Sequence, residues 1–324
     1  MSLDADALAA WLRATAVVSD DGAVLSWRNP ARPGYPYPEA AGLWLGVMSV
    51  AGGDPSQRDR VARRLARDVS DDGDVGRGGA RYAFDTCVAL AGLLAHERAG
   101  GAVDPSLPTR MGARAVAMLS RREVVIGDTD APEGHWSVSY GAHLLKCAAG
   151  LLALDARDGG DGGRRAVAVL LDAIAPIAVS GRFPTRAGAR ESYLHASLYA
   201  LEGLACASAW GFAGLDRLID EGAAWVASVQ DASGGVRAWH DGEKAWGPLR
   251  ADATAQAMRL WAMRDRERWA SAIAKADGFL ARSMGPTGGL RYEPEGADEN
   301  TWAACFAWQA ARCRDAGLDA RWVL

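Results

Sequence analysis

Residues 137–156, SVSYGAHLLKCAAGLLALDA, decide the fold of this chain. Apolar and small residues recur there at three- and four-residue spacing and cover almost the whole circumference of the helix that the pattern predicts. A helix that is apolar nearly all round must be buried. Residues 57–69, QRDRVARRLARDV, instead have charged residues on one side and apolar residues on the other, which is typical of a surface helix.

These two kinds of helix alternate along the chain. The amphipathic helices are predicted at 4–18, 56–68, 108–120, 164–178, 214–229 and 267–282. The apolar helices are predicted at 38–52, 83–99, 137–154, 191–209, 251–264 and 299–316. Successive apolar helices start roughly 50 residues apart, which is the period of a repeated supersecondary unit. No stretch shows sustained alternation of β-branched residues, so strands should be few and short.

Six helical hairpins closed into a ring explain this repeat, because one hairpin cannot bury its apolar face alone. We therefore predict an all-α protein, an (α/α)6 toroid that spans residues 1–324 as a single domain. Gly-rich segments at 71–79, 231–235 and 285–289 separate an amphipathic helix from the next apolar one, where the chain can cross the mouth of the ring.

The composition argues against several kinds of partner. The net charge is −4 and basic residues are scattered among acidic ones, so no basic stripe is available for nucleic acid. No segment approaches the roughly 20 uncharged residues of a membrane helix, and the N-terminal stretch lacks the features of a signal peptide. The five cysteines are odd in number and lie mostly in apolar patterns, which predicts reduced, buried thiols. We expect a cytoplasmic protein, and its oligomeric state stays open.

Three stretches resemble a group of toroid proteins from bacterial polysaccharide gene clusters. They are YPYPEAAGLWLGVM at 35–48, FDTCVALAGLLAHE at 84–97 and HASLYALEGL at 195–204. More distantly, the chain resembles six-hairpin glycosidases and polysaccharide lyases. It also resembles terpenoid cyclases and prenyltransferases, whose repeated Gln-x-x-x-Gly turn is similar to QDASGG at 230–235. The resemblance implies an α/α toroid with a ligand in its central cleft.

The apolar helices of a closed ring are parallel, so their N-termini meet at one mouth. Four residues there suit acid–base chemistry, because paired carboxylates can divide acid and base work and a histidine titrates near neutral pH: Glu39, Asp85, His195 and Asp252. Aromatic, basic and amide side chains at the same positions are predicted to bind substrate: Tyr37, Arg81, Tyr82, His135, Trp136, Tyr140, Glu191, Tyr193, Arg250, Asn300 and Trp302. Across the ring, Glu39 should face Glu191 and His195, and Asp85 should face Asp252.

A structural interpretation competes with this one. Acidic residues in a first helical turn stabilise the helix as caps or through its dipole, so Asp85, Asp252 and Glu191 could be capping residues. His195 could be a hydrogen-bonded core histidine. Asp85 and Cys87 resemble part of the prenyltransferase zinc site, but no downstream histidine has a supporting motif, so we expect neither metal nor cofactor.

The favoured function is that of a carbohydrate-active enzyme: a hydrolase, lyase or epimerase whose substrate is a glycan or glycoside that contains a uronic acid or carries another decoration. Arg81 and Arg250 would bind the anionic group. One alternative is a terpenoid-cyclase-like toroid in which Asp252, followed by Thr254, protonates or binds an isoprenoid. A further alternative is a non-catalytic ring that binds a glycan or a protein.

Overall fold

The computed structural model describes residues 2–132 and 134–322. Within these ranges the chain forms twelve α-helices. The outer helices are α1 (Ala5–Leu12), α3 (Pro55–Asp68), α5 (Ser106–Ser120), α7 (Gly162–Ile174), α9 (Asp216–Ser228) and α11 (Ala270–Arg282). The inner helices are α2 (Pro38–Ala51), α4 (Ala83–Arg98), α6 (Ala148–Asp158), α8 (Leu194–Ala209), α10 (Ala251–Arg264) and α12 (Thr301–Asp315). The predicted alternation of two kinds of helix is confirmed.

The inner helices form a closed ring. Helix α2 packs against α4 and α4 against α6, while α8 contacts both α6 and α10. Helix α10 then packs against α12, and α12 returns to α2. Most buried apolar residues form one large cluster from Leu3 to Cys313, and Tyr193, Ala196 and Ala238 form a small second one. The chain is therefore an all-α toroid of six helical hairpins.

The third inner helix departs from the prediction. It was expected at 137–154, whereas short 3-10 helices occupy Trp136–Val138 and Ala142–Cys147 before α6 begins. Gly141 lies between them in an extended conformation and forms an isolated β-bridge with Arg186. This bridge interrupts the helical hydrogen bonding that the apolar pattern predicts.

Glycines permit the close approach of neighbouring inner helices. A Cβ atom on Gly92 would lie 2.2 Å from the carbonyl oxygen of Gly42, and one on Gly203 would lie 2.2 Å from the carbonyl oxygen of Leu145. Gly42 and Gly150 face backbone atoms of the adjacent helix in the same way. Backbone atoms cannot move aside as a flexible side chain can, so these positions exclude any larger residue.

We expect Gly203→Ala to lower the free energy of unfolding by about 3 kcal/mol, because the added methyl group must separate two packed backbones. The matched control is Gly162→Ala, where an added Cβ meets no atom within 4 Å. This control should change stability by less than about 1 kcal/mol. Urea denaturation of both variants measures the difference, and equal effects would show that α8 does not need its glycine.

Short strands collect where the inner helices begin. They are β1 (Trp27–Arg28), β2 (Gly76–Arg77), β3 (Ala80–Tyr82), β4 (Val125–Ile126), β5 (Ser192–Tyr193), β6 (Val236–His240), β7 (Ala245–Arg250) and β8 (Glu299–Asn300). They pair antiparallel as β1-β8, β2-β3-β4 and β5-β6-β7. Strands β3, β5, β7 and β8 lead directly into inner helices and so fix where each helix starts.

A charged cluster is buried inside the ring. The Glu202 carboxylate lies 3.0 Å from Lys146 Nζ and 2.6 Å from Arg259 Nε. All three side chains are at most 1% exposed. Burial lowers the pKa of Lys146 to about 8. Burial opposes ionisation of Glu202 as well, but Arg259 and Lys146 outweigh it and hold the pKa of this carboxylate below its ordinary value.

Two further sequence predictions concern the cysteines and the membrane. All five cysteines are buried and free, as expected for reduced thiols. Among the described residues, we find no helix with the length and apolar character needed to span a membrane.

Candidate active site

The starts of all six inner segments meet at one cavity of about 490 Å³. Its lining includes ten of the residues predicted to form the site: Tyr37, Glu39, Tyr82, Asp85, His135, Trp136, His195, Asp252, Asn300 and Trp302. The predicted convergence of the inner-helix N-termini is therefore present in the fold.

Asp85 and Asp252 do not cap their helices. Neither α4 nor α10 has a side-chain hydrogen bond at its N-cap. Instead, Thr86 and Thr254 anchor the preceding segments, because their hydroxyls accept hydrogen bonds from the backbone nitrogens of Val75 and Val236, at 3.1 and 3.0 Å. Neither aspartate is therefore a side-chain cap, although both lie in the first turn of their helices, where a carboxylate also favours the helix dipole, and both carboxylates line the cavity.

Glu39 and Asp85 form a buried carboxylate pair on adjacent helices. They are 8% and 5% exposed. The Tyr37 hydroxyl donates to Asp85 Oδ2 at 2.8 Å, and the Tyr199 hydroxyl donates to Glu39 Oε1 at 3.4 Å. Trp302 also hydrogen-bonds Glu39. The pair is thus held in place by donors from three different inner segments.

This environment favours the protonated form of both carboxyl groups. Burial raises the pKa of Asp85 to about 7, although the Tyr37 hydroxyl opposes the shift. Burial and then the nearby charge of Asp85 raise the pKa of Glu39 well above its ordinary value. Two neighbouring carboxyl groups with so little solvent around them cannot both be ionised without a large cost in free energy, so the pair keeps a proton at neutral pH.

The raised pKa values make stability depend on pH. The unfolded chain releases these protons near its ordinary carboxyl pKa, whereas the folded protein retains them to higher pH. The stability that the protonated carboxyl groups contribute is fully present below their pKa in the unfolded chain, and it is lost as pH rises through their pKa in the folded protein. Each retained proton contributes a slope of about 1.4 kcal/mol per pH unit within that window.

We therefore expect the double variant Glu39→Gln/Asp85→Asn to gain stability relative to the wild type as pH rises from about 5 to about 7. Urea unfolding across this range measures the difference. A constant difference at all pH values would contradict the raised pKa values of the pair.

His195 lies at the buried end of the same cavity. Its Nδ1 atom is 2.7 Å from Gln256 Oε1 and 3.4 Å from Asp252 Oδ2. Arg250 Nη2 contacts the same Asp252 oxygen at 3.3 Å. Burial lowers the pKa of His195 even though the charge of Asp252 opposes the shift, so the imidazole is neutral at neutral pH. His195 has the hydrogen bonds of a structural histidine and also faces the cavity.

Aromatic rings form much of the wall. The ring of Tyr37 is 5.5 Å from that of Trp302 and 5.9 Å from that of Tyr35. On the side of His195, the ring of Trp136 lies 5.7 Å away. An apolar wall with a few converging polar groups is the usual composition of a small-molecule site.

Three of the predicted residues do not line the cavity. Arg81 Nε lies 3.6 Å from Asp74. Tyr140 packs its ring under the guanidinium of Arg122, at 5.2 Å. Glu191 precedes β5 and is exposed to solvent. The predicted opposition of Glu39 and Glu191 is therefore wrong, and Asp85 on the neighbouring helix is the carboxylate that acts on Glu39.

Tyr193 and Arg250 also lie outside the lining, directly behind it. The Tyr193 ring packs against that of His195 at 5.9 Å. The Arg250 guanidinium binds Asp252 and lies 3.5 Å from the centre of the Tyr292 ring. These two residues hold the walls of the cavity, whereas the sequence predicted direct contact with substrate.

Several lining residues were not predicted. At the mouth, Arg32 pairs with Asp298, and Arg77 lies 3.7 Å from Asp130 and 4.3 Å from the centre of the Tyr35 ring. These residues belong to loops and short strands, which helical periodicity cannot place. The cavity is also lined by Trp27, Phe84, Asp128, Thr129, His143 and Tyr292.

His143 is the least expected of these residues. It is fully buried between Phe84 and Trp136, and neither ring nitrogen has a hydrogen-bond partner in the described part of the chain. Burial, with the nearby His195, lowers the pKa of His143 to about 3. Its place in the interrupted third inner helix explains why the sequence pattern concealed it.

The described ranges 2–132 and 134–322 contain no group of three or more His, Cys, Asp or Glu residues able to hold a metal ion. The cavity instead offers carboxyl, imidazole, hydroxyl and indole groups. These groups can exchange protons and hydrogen bonds with a polar molecule.

Fold and cavity together define an α/α toroid of the six-hairpin type. No family model matches this chain, and no curated protein matches its sequence. Solved structures share the fold at low sequence identity. An unsaturated glucuronyl hydrolase specific for heparin has a TM-score of 0.69 and 13% identity, with 98% of this chain and 97% of that chain covered.

Two more structures show the range of the likeness. A glycosyl hydrolase family 88 protein from Bacteroides vulgatus has a TM-score of 0.63 and 12% identity, covering 87% of this chain and 92% of that chain. A polysaccharide lyase has a TM-score of 0.60 and 14% identity, covering 86% and 89%. At these identities the likeness establishes the fold alone.

Proposed function

We propose that this protein is a carbohydrate-active enzyme that cleaves a glycoside containing a uronic acid by acid–base chemistry. The observation that carries the proposal is the buried Glu39–Asp85 pair, which retains a proton at neutral pH inside an aromatic cavity. Glycoside hydrolysis uses two carboxyl groups in this way, one protonated and one ionised. The similar folds of a glucuronyl hydrolase and a polysaccharide lyase support the same substrate class.

The surroundings of the pair indicate which carboxyl group donates a proton and which one is ionised. Glu39 is the proton donor, because burial and the nearby charge of Asp85 hold its pKa well above the ordinary value, even though the hydrogen bonds from Trp302 and Tyr199 oppose the shift. Asp85 is the ionised carboxylate that stabilises the positive charge developing on the sugar as the bond breaks, because the Tyr37 hydroxyl donates to it at 2.8 Å and stabilises its own charge. Glu39 then protonates the oxygen of the leaving group as the glycosidic bond breaks.

The mouth of the cavity suits an anionic sugar. Arg32 and Arg77 line it, and each guanidinium packs over an aromatic ring, at 5.0 Å for Trp27 and 4.3 Å for Tyr35. Their partners Asp298 and Asp130 belong to the same rim. A sugar carboxylate can replace one of these acidic partners, because guanidinium binds carboxylate through two parallel hydrogen bonds.

Elimination is the second candidate reaction. It is favoured by His195, a neutral imidazole beside Asp252 that lines the same cavity and could remove a proton next to a uronic-acid carboxylate. The products separate the two reactions, since hydrolysis adds water and elimination leaves an unsaturated sugar.

A thermal-shift screen tests the substrate class. The panel contains saturated and unsaturated uronyl oligosaccharides, neutral oligosaccharides and an isoprenoid diphosphate. A ligand that binds the native state raises the free energy of unfolding, by about 2.7 kcal/mol at a concentration one hundred times Kd, and therefore raises the melting temperature. We expect stabilisation by uronyl oligosaccharides. Stabilisation by the isoprenoid alone would contradict the proposal and favour the cyclase alternative.

A further inference from the structure

A hydrogen-bonded chain leads from the charged cluster inside the ring to the end of the cavity. Glu202 accepts hydrogen bonds from Lys146 and Arg259, as described above. Gln256 of α10 extends the chain, since its Nε2 donates to Glu202 Oε2 at 3.3 Å. Its Oε1 lies 2.7 Å from His195 Nδ1. All of these side chains are buried, so water does not compete for their hydrogen bonds.

The chemistry of these groups decides which atom carries each proton. Glu202 is ionised because two cations contact it, and a carboxylate can only accept hydrogen bonds. The Gln256 amide must therefore direct its NH₂ group towards Glu202 and its carbonyl oxygen towards His195. A carbonyl oxygen also only accepts, so His195 Nδ1 must carry the hydrogen. Asp252 Oδ2 lies 3.4 Å from the same nitrogen and, as an acceptor, also requires a hydrogen on Nδ1.

We propose that this chain holds His195 as its Nδ1–H tautomer, so that the bare Nε2 atom accepts a proton from a hydroxyl group in the cavity, with Gln256 as the positioning residue. The identity of that hydroxyl rests on the proposed function: it is the attacking water. Its O–H bond breaks as its oxygen bonds to the sugar carbon, Nε2 gains the proton, and Glu39 protonates the departing oxygen. Solvent returns the proton from His195 to Glu39 after product release.

The surroundings of His195 support this role. Asp252 lies close enough to stabilise the imidazolium that forms, much as the buried aspartate does in a Ser-His-Asp triad. Charged and titratable groups face His195 from every element packed around it: Asp252 and Arg250 at the start of α10, Tyr193 of β5, Glu202 and Tyr199 of α8, and His143 of the 142–147 segment.

Nuclear magnetic resonance of the full chain labelled with ¹⁵N histidine tests the tautomer without any substrate. Long-range ¹H–¹⁵N spectra distinguish a protonated ring nitrogen from a bare one, and a His195→Asn sample assigns the signals. We expect a protonated Nδ1 and a bare Nε2 for His195 at neutral pH. A protonated Nε2, or a doubly protonated ring at that pH, would overturn the proposal.

Two substitutions of Gln256 test the positioning role. Gln256→Met has a similar volume but no carbonyl acceptor, which leaves Nδ1 with the more distant Asp252 oxygen at 3.4 Å. We therefore expect a mixture of tautomers and a kcat about 100-fold lower, with KM little changed. Gln256→Glu retains an oxygen acceptor in either protonation state, so it should preserve the Nδ1–H tautomer. An unchanged tautomer and an unchanged kcat in Gln256→Met would show that Gln256 does not position His195. Failure of the proposed function would leave the wild-type protein inactive on every glycoside, whatever the tautomer.

Discussion

Glu39→Gln is expected to lower kcat for glycoside cleavage by at least about 10²-fold while the fold stays intact. The amide fills the same space and can still contact Tyr199, but it carries no acidic proton to give to the leaving oxygen. General acid catalysis by a positioned group contributes roughly 10²–10⁴-fold. Steady-state kinetics on the glycoside identified by the thermal-shift screen measures this effect.

A leaving group that needs no protonation provides the sharper control. An aryl glycoside with an acidic phenol should lose much less rate in Glu39→Gln than a natural glycoside does, because its departing oxygen is already a stable anion. The matched control variant is Glu267→Gln, which alters an exposed carboxylate remote from the cavity lining. Equal losses for both leaving groups would show that Glu39 is not the proton donor.

Glu202→Leu is expected to lower the free energy of unfolding by about 3–5 kcal/mol. Leucine removes the carboxylate that Lys146 and Arg259 share inside the ring, so the Arg259 guanidinium stays buried without it and the Lys146 amine loses the charge that favours its protonation. Breaking a buried ion pair costs far more than the pair itself contributes, because the remaining charge is poorly solvated. Urea denaturation of the variant measures the loss.

Double substitution isolates this cause. Lys146→Met/Glu202→Leu also replaces the buried amine of Lys146 with an apolar group, so it should recover part of the stability lost in Glu202→Leu. The exposed pair Arg217–Glu221 is the control, and Glu221→Ala should cost less than about 1 kcal/mol. If the double variant is less stable than Glu202→Leu alone, burial of the Lys146 amine without its carboxylate is not the cause of the loss in the single variant.

The sequence predicted the ring because its signal is periodic. Inner helices must be apolar on all sides and outer helices on one side only, and this contrast repeats six times. It also predicted that residues such as Glu39, Asp85, His195 and Asp252 would meet, since parallel inner helices start at the same face. The closed ring enforces this convergence whatever the details of each loop.

Periodicity could not place the residues that the loops bring in. Arg32 and Arg77 line the mouth because short antiparallel strands return over it, and two-residue strands leave no pattern in the sequence. His143 reaches the cavity because Gly141 interrupts the expected helix. The sequence pattern also gave no way to distinguish Arg81, which binds Asp74 elsewhere, from an arginine that meets a ligand.

The HASLYALEGL stretch shows how far a motif can be explained once the fold is known. Its histidine and glutamate are seven residues apart, and Gln256 from α10 connects them. Its tyrosine contacts Glu39, and its glycine lets α8 approach residues 142–147. The motif therefore contains both a residue needed for helix packing and residues whose hydrogen bonds reach the cavity.

Product analysis by mass spectrometry tests the central claim most directly. A uronyl oligosaccharide is incubated with the wild-type protein and with Asp85→Asn, and the products are followed over time. The account predicts that the wild type cleaves the glycosidic bond and that Asp85→Asn does so at least about 10²-fold more slowly. Intact saccharides throughout, or equal cleavage by both proteins, would contradict glycoside chemistry at the Glu39–Asp85 pair.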